Sequence, residues 1–475
     1  MTNEVPRFPF RSLRDWIVFL EQNDQLRRNK KEVNLRYDLG YISKVTADTG
    51  GPALIHENIY GYPDWKIFCD GLTTFQRKAW ALGLPLETLA ASLAGVIQSG
   101  NLIKPVLVDT GPCKEVKIFG DNIDLTNIPI PYTGKYDNPP YITAGISTIM
   151  DLDTGWHNIA IRRFQLKGKQ RLCDLIVSYQ HEGKIFAKYV RAGKPMPIAI
   201  VIGADPLFYL LSQMPAEDNV SEWDYWGAFT GEPLQVVKCE TNELLVPAQA
   251  EIVIEGFVDP LKREFEGPFS EFPGYYSGCY YLPVVDVRAV TMRKDAIYYY
   301  LYMGKEPSEG HSMAHLMYSA QILKQLKQLV PEVRDVNVLS TWSFTTAVTV
   351  DRRAKREGLI KKLAMAAKAI QAGALIKNLL VFDDNVDIRS LSDIIWSFSV
   401  KFQPARDFLA IPNTIGAELD PSEPSLGHGP GVSSFGVFDC TEAGPPYDEP
   451  FRREVALPPK SDKALEVLRD LGLNG

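Results

Sequence analysis

The chain is poor in cysteine, and its few cysteines are scattered. It has six in 475 residues, without a CxxC pair or the regular spacing of a disulfide framework. This pattern argues against a structural zinc site and an iron–sulfur cluster, and it is typical of reduced thiols in the cytoplasm. The cysteines are Cys69, Cys113, Cys173, Cys239, Cys279 and Cys440.

Long apolar runs and concentrated charge are lacking as well. No apolar run approaches the ~20 residues of a membrane-spanning helix, so we expect no membrane span. The formal charge is -7 and Lys and Arg are scattered, which predicts no nucleic-acid partner. Walker, GxGxxG, GxSxG and HExxH signatures are absent, so the commonest nucleotide, hydrolase and metalloprotease assignments lack support. We predict a cytoplasmic protein.

Apolar sequence, in contrast, is sufficient for several cores. With 45% apolar residues over 475 positions, the chain is expected to form two or three domains. The alternation of helical and strand patterns predicts an α/β domain over 1–115, a β-rich sheet or barrel domain over 116–308 and a second α/β domain over 309–450. Residues 451–475 should form a tail with an amphipathic helix, docked either on a neighbouring subunit or on its own chain.

The densest group of candidate catalytic residues lies in KREFEGPFSEFPGYYSG, residues 262–278. Its prolines and glycines predict a shaped loop and not a regular helix or a central strand. Glu264, Glu266 and Glu271 lie there among aromatic residues, and apolar surroundings raise the pKa of a carboxyl group, as suits a general acid. The alternative is a solvated acidic turn.

A second candidate is the strand WHNIAIRRFQ, residues 156–165. Alternation along a strand places Arg163 on the same face as Ile161, and Asn158 with Arg162 on the other face. A buried arginine needs a charged partner, because an unpaired charge inside a protein is costly. One of the loop glutamates is a candidate partner. The alternative is that Arg163 lies at the solvent-exposed end of the strand.

Three side chains form a candidate metal site. They are Asn158, His181 after the predicted strand DLIVSYQ (174–180), and Glu222 in SEWDYWG. An amide oxygen, an imidazole and a carboxylate suit Mn2+ or Mg2+ beside a phosphate better than structural zinc. A single histidine is more often a surface or core residue than a ligand, so the residue types alone carry little weight here.

Taken together, these segments resemble the UbiD family of reversible decarboxylases over roughly residues 30–445. EGPFSE, with Glu266 and Glu271 five residues apart, is the family's most specific signature, and NIAIRR matches its Asn-x-x-x-x-Arg pattern. The resemblance implies that Glu266 pairs with Arg163 and that Glu271 is the proton donor and acceptor. The metal ligands that it implies are Asn158, His181 and Glu222.

The resemblance also implies the cofactor and the architecture. It predicts prenylated FMN, Mn2+ or Mg2+, an accompanying K+ or Na+, and a flavin prenyltransferase as supplier of the cofactor. The expected fold is multidomain α+β or α/β, with a central split β-barrel like that of flavin reductases between two α/β domains, assembled as a homodimer or homohexamer. The residues implied in cofactor binding are Asn158, Ile161, Arg162, Arg163, Gln180, His181, Ser212, Gln213, Met214, Pro215, Glu222 and Lys401.

The implied activity is exchange of CO2 on an aromatic, heteroaromatic or α,β-unsaturated acid by covalent catalysis on the prenylated flavin. A hydroxybenzoate is the first expected substrate, and an aromatic CoA thioester is left open. Phe272, His311, Ser312, His315 and Leu316 are implied to line a largely apolar pocket with imidazole groups for hydrogen bonds. The alternatives are a noncatalytic flavin-binding protein and a flavin oxidoreductase, neither of which needs the arginine and the two glutamates.

Overall fold

The computed structural model describes residues 7–178, 180–354, 356–423, 431–442 and 461–472. Its helices are α1 (Leu13–Gln22), α2 (Leu39–Asp48), α3 (Phe75–Leu82), α4 (Leu89–Ser99), α5 (His181–Ala192), α6 (Pro206–Leu211), α7 (Asp224–Thr230), α8 (Glu309–Leu329), α9 (Leu359–Ala369), α10 (Leu391–Lys401), α11 (Pro404–Asp407) and α12 (Asp462–Asp470). Its strands are β1 (Leu26–Asn29), β2 (Ala53–His56), β3 (Lys66–Cys69), β4 (Val106–Leu107), β5 (Val116–Phe119), β6 (Tyr141–Met150), β7 (His157–Leu166), β8 (Arg171–Asp174), β9 (Met196–Ile202), β10 (Gln235–Lys238), β11 (Leu245–Pro247), β12 (Ile252–Glu266), β13 (Tyr280–Met292), β14 (Ile297–Tyr300), β15 (Val333–Ser340), β16 (Thr345–Val350), β17 (Asn378–Asp383), β18 (Phe408–Ile415) and β19 (Val432–Asp439).

The first unit is a small α/β layer. Its sheet has the order β1, β2, β3, β14, in which β2 and β3 are antiparallel and the outer pairs are parallel. Helix α1 buries Leu13, Trp16, Ile17 and Leu20, the three- and four-residue spacing of an amphipathic helix. Strand β14 lies by number within the predicted central domain, but its hydrogen bonds join it to this first sheet.

The central unit is a closed barrel. Strands β12, β9, β6, β7, β8 and β13 are hydrogen-bonded in that order, and β12 also pairs with β13, which closes the ring. Strands β6 and β9 are buried almost without interruption, as in strands covered on both faces. The predicted class, a multidomain α+β protein with a central barrel, is confirmed.

The last unit is a mixed sheet of order β15, β16, β17, β19, β18, with β16, β17 and β19 parallel. Helix α8 leads into it from the barrel and packs along β15. Ser308 caps this helix, because its Oγ accepts a hydrogen bond from His311 N. The buried residues Ile322 and Leu326 of α8 belong to the core of this last sheet, so α8 ties the barrel to the last unit.

The structure corrects the predicted strand over 174–180. Strand β8 ends at Asp174, and an irregular segment leads from there to α5, whose first residue is His181. The apolar run Leu-Ile-Val behind the strand prediction is only half-buried. A short apolar run alone does not fix the type of secondary structure. His181 is therefore held by the start of a helix.

The loop predicted over 262–278 is shorter than expected. Residues 262–266 belong to β12, whose ladder with β13 continues to the pair Glu266 and Tyr280. Cross-strand hydrogen bonds to a long partner strand override the local signals of nearby Pro and Gly. The loop therefore begins at Gly267.

The predicted Asp-Pro start of a helix is confirmed at α6. Asp205 Oδ1 accepts from Phe208 N at 2.9 Å, and Pro206 is the first helical residue. Proline is favoured there because the first amide of a helix has no partner within the helix.

The predicted tail helix is α12, and none of its residues is buried. The remainder of the predicted tail, 451–460 and 473–475, lies outside the described residues, as do 424–430 and 443–450 of the predicted last domain. Within the described ranges, no helix is both long and apolar enough to cross a membrane.

Candidate active site

Arg163, Glu266 and Glu271 form one buried cluster. Arg163 Nη2 donates to Glu266 Oε2 at 3.0 Å, and Nη1 donates to Glu271 Oε1. All three residues are less than a tenth exposed, with relative exposures of 7%, 1% and 5%. The alternative that Arg163 lies at a solvent-exposed strand end is therefore wrong, and so is a solvated acidic turn for these two glutamates.

Arg163 bridges both carboxylates, whereas a pairing with Glu266 alone is what the sequence led us to expect. Burial disfavours the charged form of Arg163, but Glu271 and Glu266 raise its pKa above the ordinary value of an arginine. One cation thus faces two buried carboxyl groups. A carboxyl group fixed beside a buried cation is a candidate for exchanging a proton with a bound acid.

The loop after β12 fixes the backbone of Glu271. It begins at Gly267, whose φ is +102° and where an added Cβ would lie 2.4 Å from Gly278 O. Only glycine fits such a close approach in this conformation. Glu271 N donates to Tyr275 O at 3.0 Å, and Gly274 N donates to Glu271 O at 2.9 Å. The candidate proton donor therefore lies on a tight, internally bonded turn.

Aromatic rings surround the cluster. Arg163 Cζ lies 5.1 Å from the ring centroid of Phe269, and the Tyr141 ring packs on Phe269 with 4.4 Å between centroids. Burial, followed by the charge of Glu266, raises the pKa of the Tyr141 phenol far above its usual range. Tyr141 is therefore a neutral hydroxyl group beside Glu266, and these rings exclude water from the two carboxylates.

Asn158, His181 and Glu222 also come together. Asn158 Nδ2 donates to Glu222 Oε1 at 2.7 Å and lies 3.3 Å from His181 Nδ1, which is 3.8 Å from Glu222 Oε1. All three are buried, and Asn158 Oδ1 has no hydrogen-bond partner among the residues that the structure describes. The oxygen and nitrogen of a carboxamide are told apart only by their partners, and a half-turn directs Oδ1 toward the other two side chains. These donors then fit a divalent metal.

Asp218 orients His181, and the side chain of Gln371 lies beside the same ring nitrogen. His181 Nε2 lies 2.9 Å from Asp218 Oδ1 and 2.9 Å from Gln371 Nε2. A carboxylate on the outer nitrogen commonly fixes the ring of a metal-binding histidine. Because Nε2 is engaged there, Nδ1 is the nitrogen that faces Asn158 and Glu222.

Residues 212–215, expected beside a phosphate, lie against the strand of the metal candidate Asn158. Ile161 N donates to Ser212 O at 3.3 Å. Ser212, Gln213 and Met214 are buried, and Pro215 is half-buried. This segment is therefore fixed beside β7, and its contact with a phosphate stays a prediction.

Arg162 points to the other face of β7 from Arg163, as alternation predicts. Its Nε lies 2.5 Å from Glu182 Oε2, and its Nη1 donates to Gln180 Oε1 at 3.4 Å. Glu182 follows His181 in α5. Arg162 and Gln180 thus join β7 to the start of the helix that carries a candidate metal ligand, and their contact with a cofactor stays a prediction.

Lys401 lies in the last unit, at the end of α10. Its Nζ is 5.4 Å from the ring centroid of Trp396 and 3.7 Å from Glu442 Oε1. These contacts are within the last unit, so a reach of Lys401 to a phosphate stays a prediction.

The predicted pocket residue His311 makes its hydrogen bonds within the protein. Its Nε2 donates to Phe272 O at 2.8 Å, since a carbonyl can only accept, and its Nδ1 accepts from Ser308 Oγ at 2.7 Å. Contrary to expectation, this imidazole therefore holds the Glu271 loop in place instead of offering a donor to a substrate. Ser312 Oγ donates to Thr73 O at 2.7 Å, toward the first unit. The other two predicted lining residues lie on α8. Leu316 is buried, and the side chain of His315 is mostly buried.

Three family models match the chain in succession. They describe the N-terminal domain (residues 17–96), the Rift-related domain (104–306) and the C-terminal domain (311–440) of 3-octaprenyl-4-hydroxybenzoate carboxy-lyase, UbiD. The chain belongs to the UbiD family. The family predicted from the sequence is therefore confirmed, and with it the class of enzyme, a carboxy-lyase.

Solved UbiD-class structures are similar to this chain over nearly its whole length. HmfF of Pelotomaculum thermopropionicum in complex with FMN is 33% identical, with a TM-score of 0.84 over 94% of this chain and 97% of that one. An evolved dimeric form of HmfF in complex with prFMN is 31% identical, with a TM-score of 0.82 over 94% and 97%. The closed form of vanillic acid decarboxylase from Sedimentibacter hydroxybenzoicus is 30% identical, with a TM-score of 0.88 over 98% and 99%.

The candidate site also contains residues that the sequence alone did not indicate. Tyr141 is the first residue of β6, and no motif in its neighbourhood marks it. Gln371 comes from the last unit, so only the folded chain brings it to His181. Asp218 lies four residues before Glu222, and a search for a second carboxylate near each proposed ligand is the one signal that could have found it.

Proposed function

We propose that this UbiD-family chain is a reversible, non-oxidative decarboxylase of an aromatic, heteroaromatic or α,β-unsaturated acid, with a hydroxybenzoate-like acid as the first candidate. The observation that carries the proposal is the buried cluster in which Arg163 joins Glu266 and Glu271. Binding a flavin needs no such proton-exchanging group. The similarity to vanillic acid decarboxylase supports an aromatic acid.

In the proposed reaction, CO2 leaves the acid and Glu271 donates a proton to the carbon that carried it. In the reverse direction, Glu271 removes that proton. Arg163 compensates the negative charge that Glu271 gains when it loses its proton, and Glu266 keeps Arg163 in place. Phe269, which lies under the guanidinium, keeps bulk water from the pair.

We further propose prenylated FMN as the cofactor and Mn2+ or Mg2+ as the metal. Asn158 Oδ1, which has no partner within the described part of the chain, lies beside His181 and Glu222. This arrangement supports a divalent metal that neutralises phosphate charge and fixes its position. Residues 212–215 would hold the phosphate together with K+ or Na+. Bound there, the prenylated flavin supplies the electron sink that decarboxylation requires. The FMN and prFMN complexes of HmfF support this cofactor.

The supply of the cofactor, the location and the assembly of the chain are also part of the proposal. A flavin prenyltransferase would supply the cofactor. The chain would act in the cytoplasm as a homodimer or homohexamer, and the dimeric form of HmfF supports an assembly of this kind.

The test compares protein produced with and without a co-expressed flavin prenyltransferase. Both preparations are offered a panel of aromatic, heteroaromatic and acrylic acids, and CO2 release is measured alongside NAD(P)H consumption. We expect CO2 release only after co-expression, no NAD(P)H consumption, and the same thermal unfolding in both. Equal turnover without the prenyltransferase would contradict the proposed cofactor, and NAD(P)H oxidation without CO2 release would favour a flavin oxidoreductase.

A further inference from the structure

The hairpin between β15 and β16 has an unusual backbone. Thr341 and Trp342 have φ angles of 52° and 61°. β-branched and aromatic residues rarely adopt this left-handed conformation. It persists only where surrounding contacts impose it, and residues held in this way concentrate at functional sites.

Glu306 supplies the contacts that hold this hairpin. Its carboxylate accepts from Ser340 Oγ and from Thr341 N, both at 2.6 Å, and lies 2.9 Å from His315 Nε2. Burial opposes ionisation of Glu306, but His315 and His311 together lower its pKa to about 2. An ionised carboxylate from the segment before α8 thus fixes the hairpin of the last unit.

The hairpin places the indole of Trp342 on the loop of the proposed proton donor. The ring centroid of Trp342 lies 4.6 Å from that of Phe272 and 5.5 Å from that of His311. Phe272 directly follows Glu271, and the hydrogen bond from His311 Nε2 to Phe272 O fixes it from a second side. Both Phe272 and Trp342 are half-buried, so neither ring is covered completely by the protein.

We propose that Trp342 is a specificity-determining residue of the acid site. With Phe272 it forms an aromatic wall beside Glu271, and this wall selects a flat aromatic ring over an open-chain unsaturated acid. Two rigid aromatic side chains held close together should bind the ring of an aromatic acid more tightly than a flexible open-chain acid. Stacked and edge-on contacts between rings add binding free energy to that of simple burial.

This inference rests on the proposed function, since it concerns the acid whose carbon Glu271 protonates. It narrows the substrate class to aromatic acids. It also gives a reason for the costly backbone conformation of Trp342, a residue far in sequence from the proposed catalytic residues.

The test uses holoenzyme, co-produced with a flavin prenyltransferase, that carries Glu271→Gln so that acids bind without turnover. Its affinities for 4-hydroxybenzoate and for sorbate are measured by calorimetry, and each is compared after adding Trp342→Ala, Trp342→Phe or Trp80→Ala. Trp80 is a matched control, because its half-buried ring packs edge-on against Phe19 at 5.3 Å in the first unit. CO2 release is scored separately in enzyme that retains Glu271.

We expect Trp342→Ala to weaken the binding of 4-hydroxybenzoate about tenfold and the binding of sorbate less than about twofold. Trp342→Phe should restore most of the loss, and Trp80→Ala should leave both affinities unchanged. Equal losses for the two acids, or no binding of 4-hydroxybenzoate when Trp342 is intact, would overturn the inference. A selective loss together with no CO2 release from enzyme that retains Glu271 would support the wall and contradict the proposed function.

Discussion

Arg163 donates a hydrogen bond to the carboxylate of Glu271, which lies 108 residues further along the chain. The same guanidinium binds Glu266 at 3.0 Å. One cation is therefore shared by two buried acids. Removing the cation leaves both carboxylates uncompensated, whereas removing either acid leaves Arg163 with a partner, so variants of the three residues separate charge compensation from proton exchange.

Arg163→Ala should destabilise the fold. It leaves Glu266 and Glu271 buried without a cation, and breaking a buried ion pair costs about 3–5 kcal/mol. Urea unfolding at neutral pH measures the change in the free energy of unfolding. Arg171→Ala is the control, since Arg171 is 44% exposed where it pairs with Glu264, and such pairs contribute about 1 kcal/mol or less. Similar losses of unfolding free energy in both variants would show that Arg163 stabilises the fold no more than an exposed arginine does.

His181→Ala and Glu222→Ala should each weaken Mn2+ binding by more than about tenfold and reduce the cofactor content of purified protein. Each substitution removes a proposed metal ligand that faces Asn158. Without the metal, the negative charge of the cofactor phosphate would stay uncompensated. Mn2+ titration of dialysed protein measures the affinity. His157→Ala is the control, because its ring packs on Trp223 with 5.1 Å between centroids. Unchanged metal affinity in both ligand variants would assign the metal elsewhere.

Glu309→Gln should flatten the pH dependence of stability. Burial, followed by the charge of Asp70, raises the pKa of Glu309 to about 8, from 4.5 for an exposed glutamate. Between these values the folded state holds a proton that the unfolded state has released, so stability falls as pH rises, by at most about 1.4 kcal/mol per pH unit. Glutamine keeps the acceptor for Leu72 N and Tyr299 OH without this proton.

Thermal unfolding from pH 5 to 8 measures this effect. Glu309→Gln should gain stability relative to the unmodified chain as pH rises. Glu232→Gln, at an exposed ion pair with Arg11, is the control and should follow the unmodified chain. An identical pH slope for Glu309→Gln and the unmodified chain would contradict the account.

Local patterns in the sequence predict much of this fold. The spacing of apolar residues identifies α1, and the Asp-Pro pair identifies the start of α6. Period-two alternation along β7 separates Arg162 from Arg163, and the requirement for a charged partner leads from Arg163 to the loop glutamates. These inferences succeed because each depends on residues close together in the chain or on one strong energetic rule.

The inferences that fail depend on contacts between distant segments. Residues 262–266 extend β12 because β13 pairs with them, and β14 joins the first sheet through a parallel pairing with β3. Local turn residues and strand propensity do not predict which distant strands pair with each other. The left-handed conformation of Trp342 opposes its local preference, so no sequence pattern would place its ring on Phe272.

Proton exchange during decarboxylation is the most direct test of Glu271 as the proton donor. Holoenzyme and its Glu271→Gln, Glu266→Gln and Glu264→Gln variants are assayed in D2O with an acid of the panel that the unmodified enzyme decarboxylates, and CO2 release and deuterium incorporation at the carbon that lost CO2 are measured. Glu264, half-exposed and paired with Arg171, serves as the control.

Glutamine in place of Glu271 keeps the shape of the side chain but cannot carry the proton. We therefore expect Glu271→Gln to retain its flavin and metal while CO2 release and deuterium incorporation fall by ~10²–10⁴-fold, with Glu264→Gln unaffected. If Glu271→Gln kept more than about a tenth of the activity, well above that range, while Glu266→Gln lost only proton exchange, Glu266 and not Glu271 would be the proton donor.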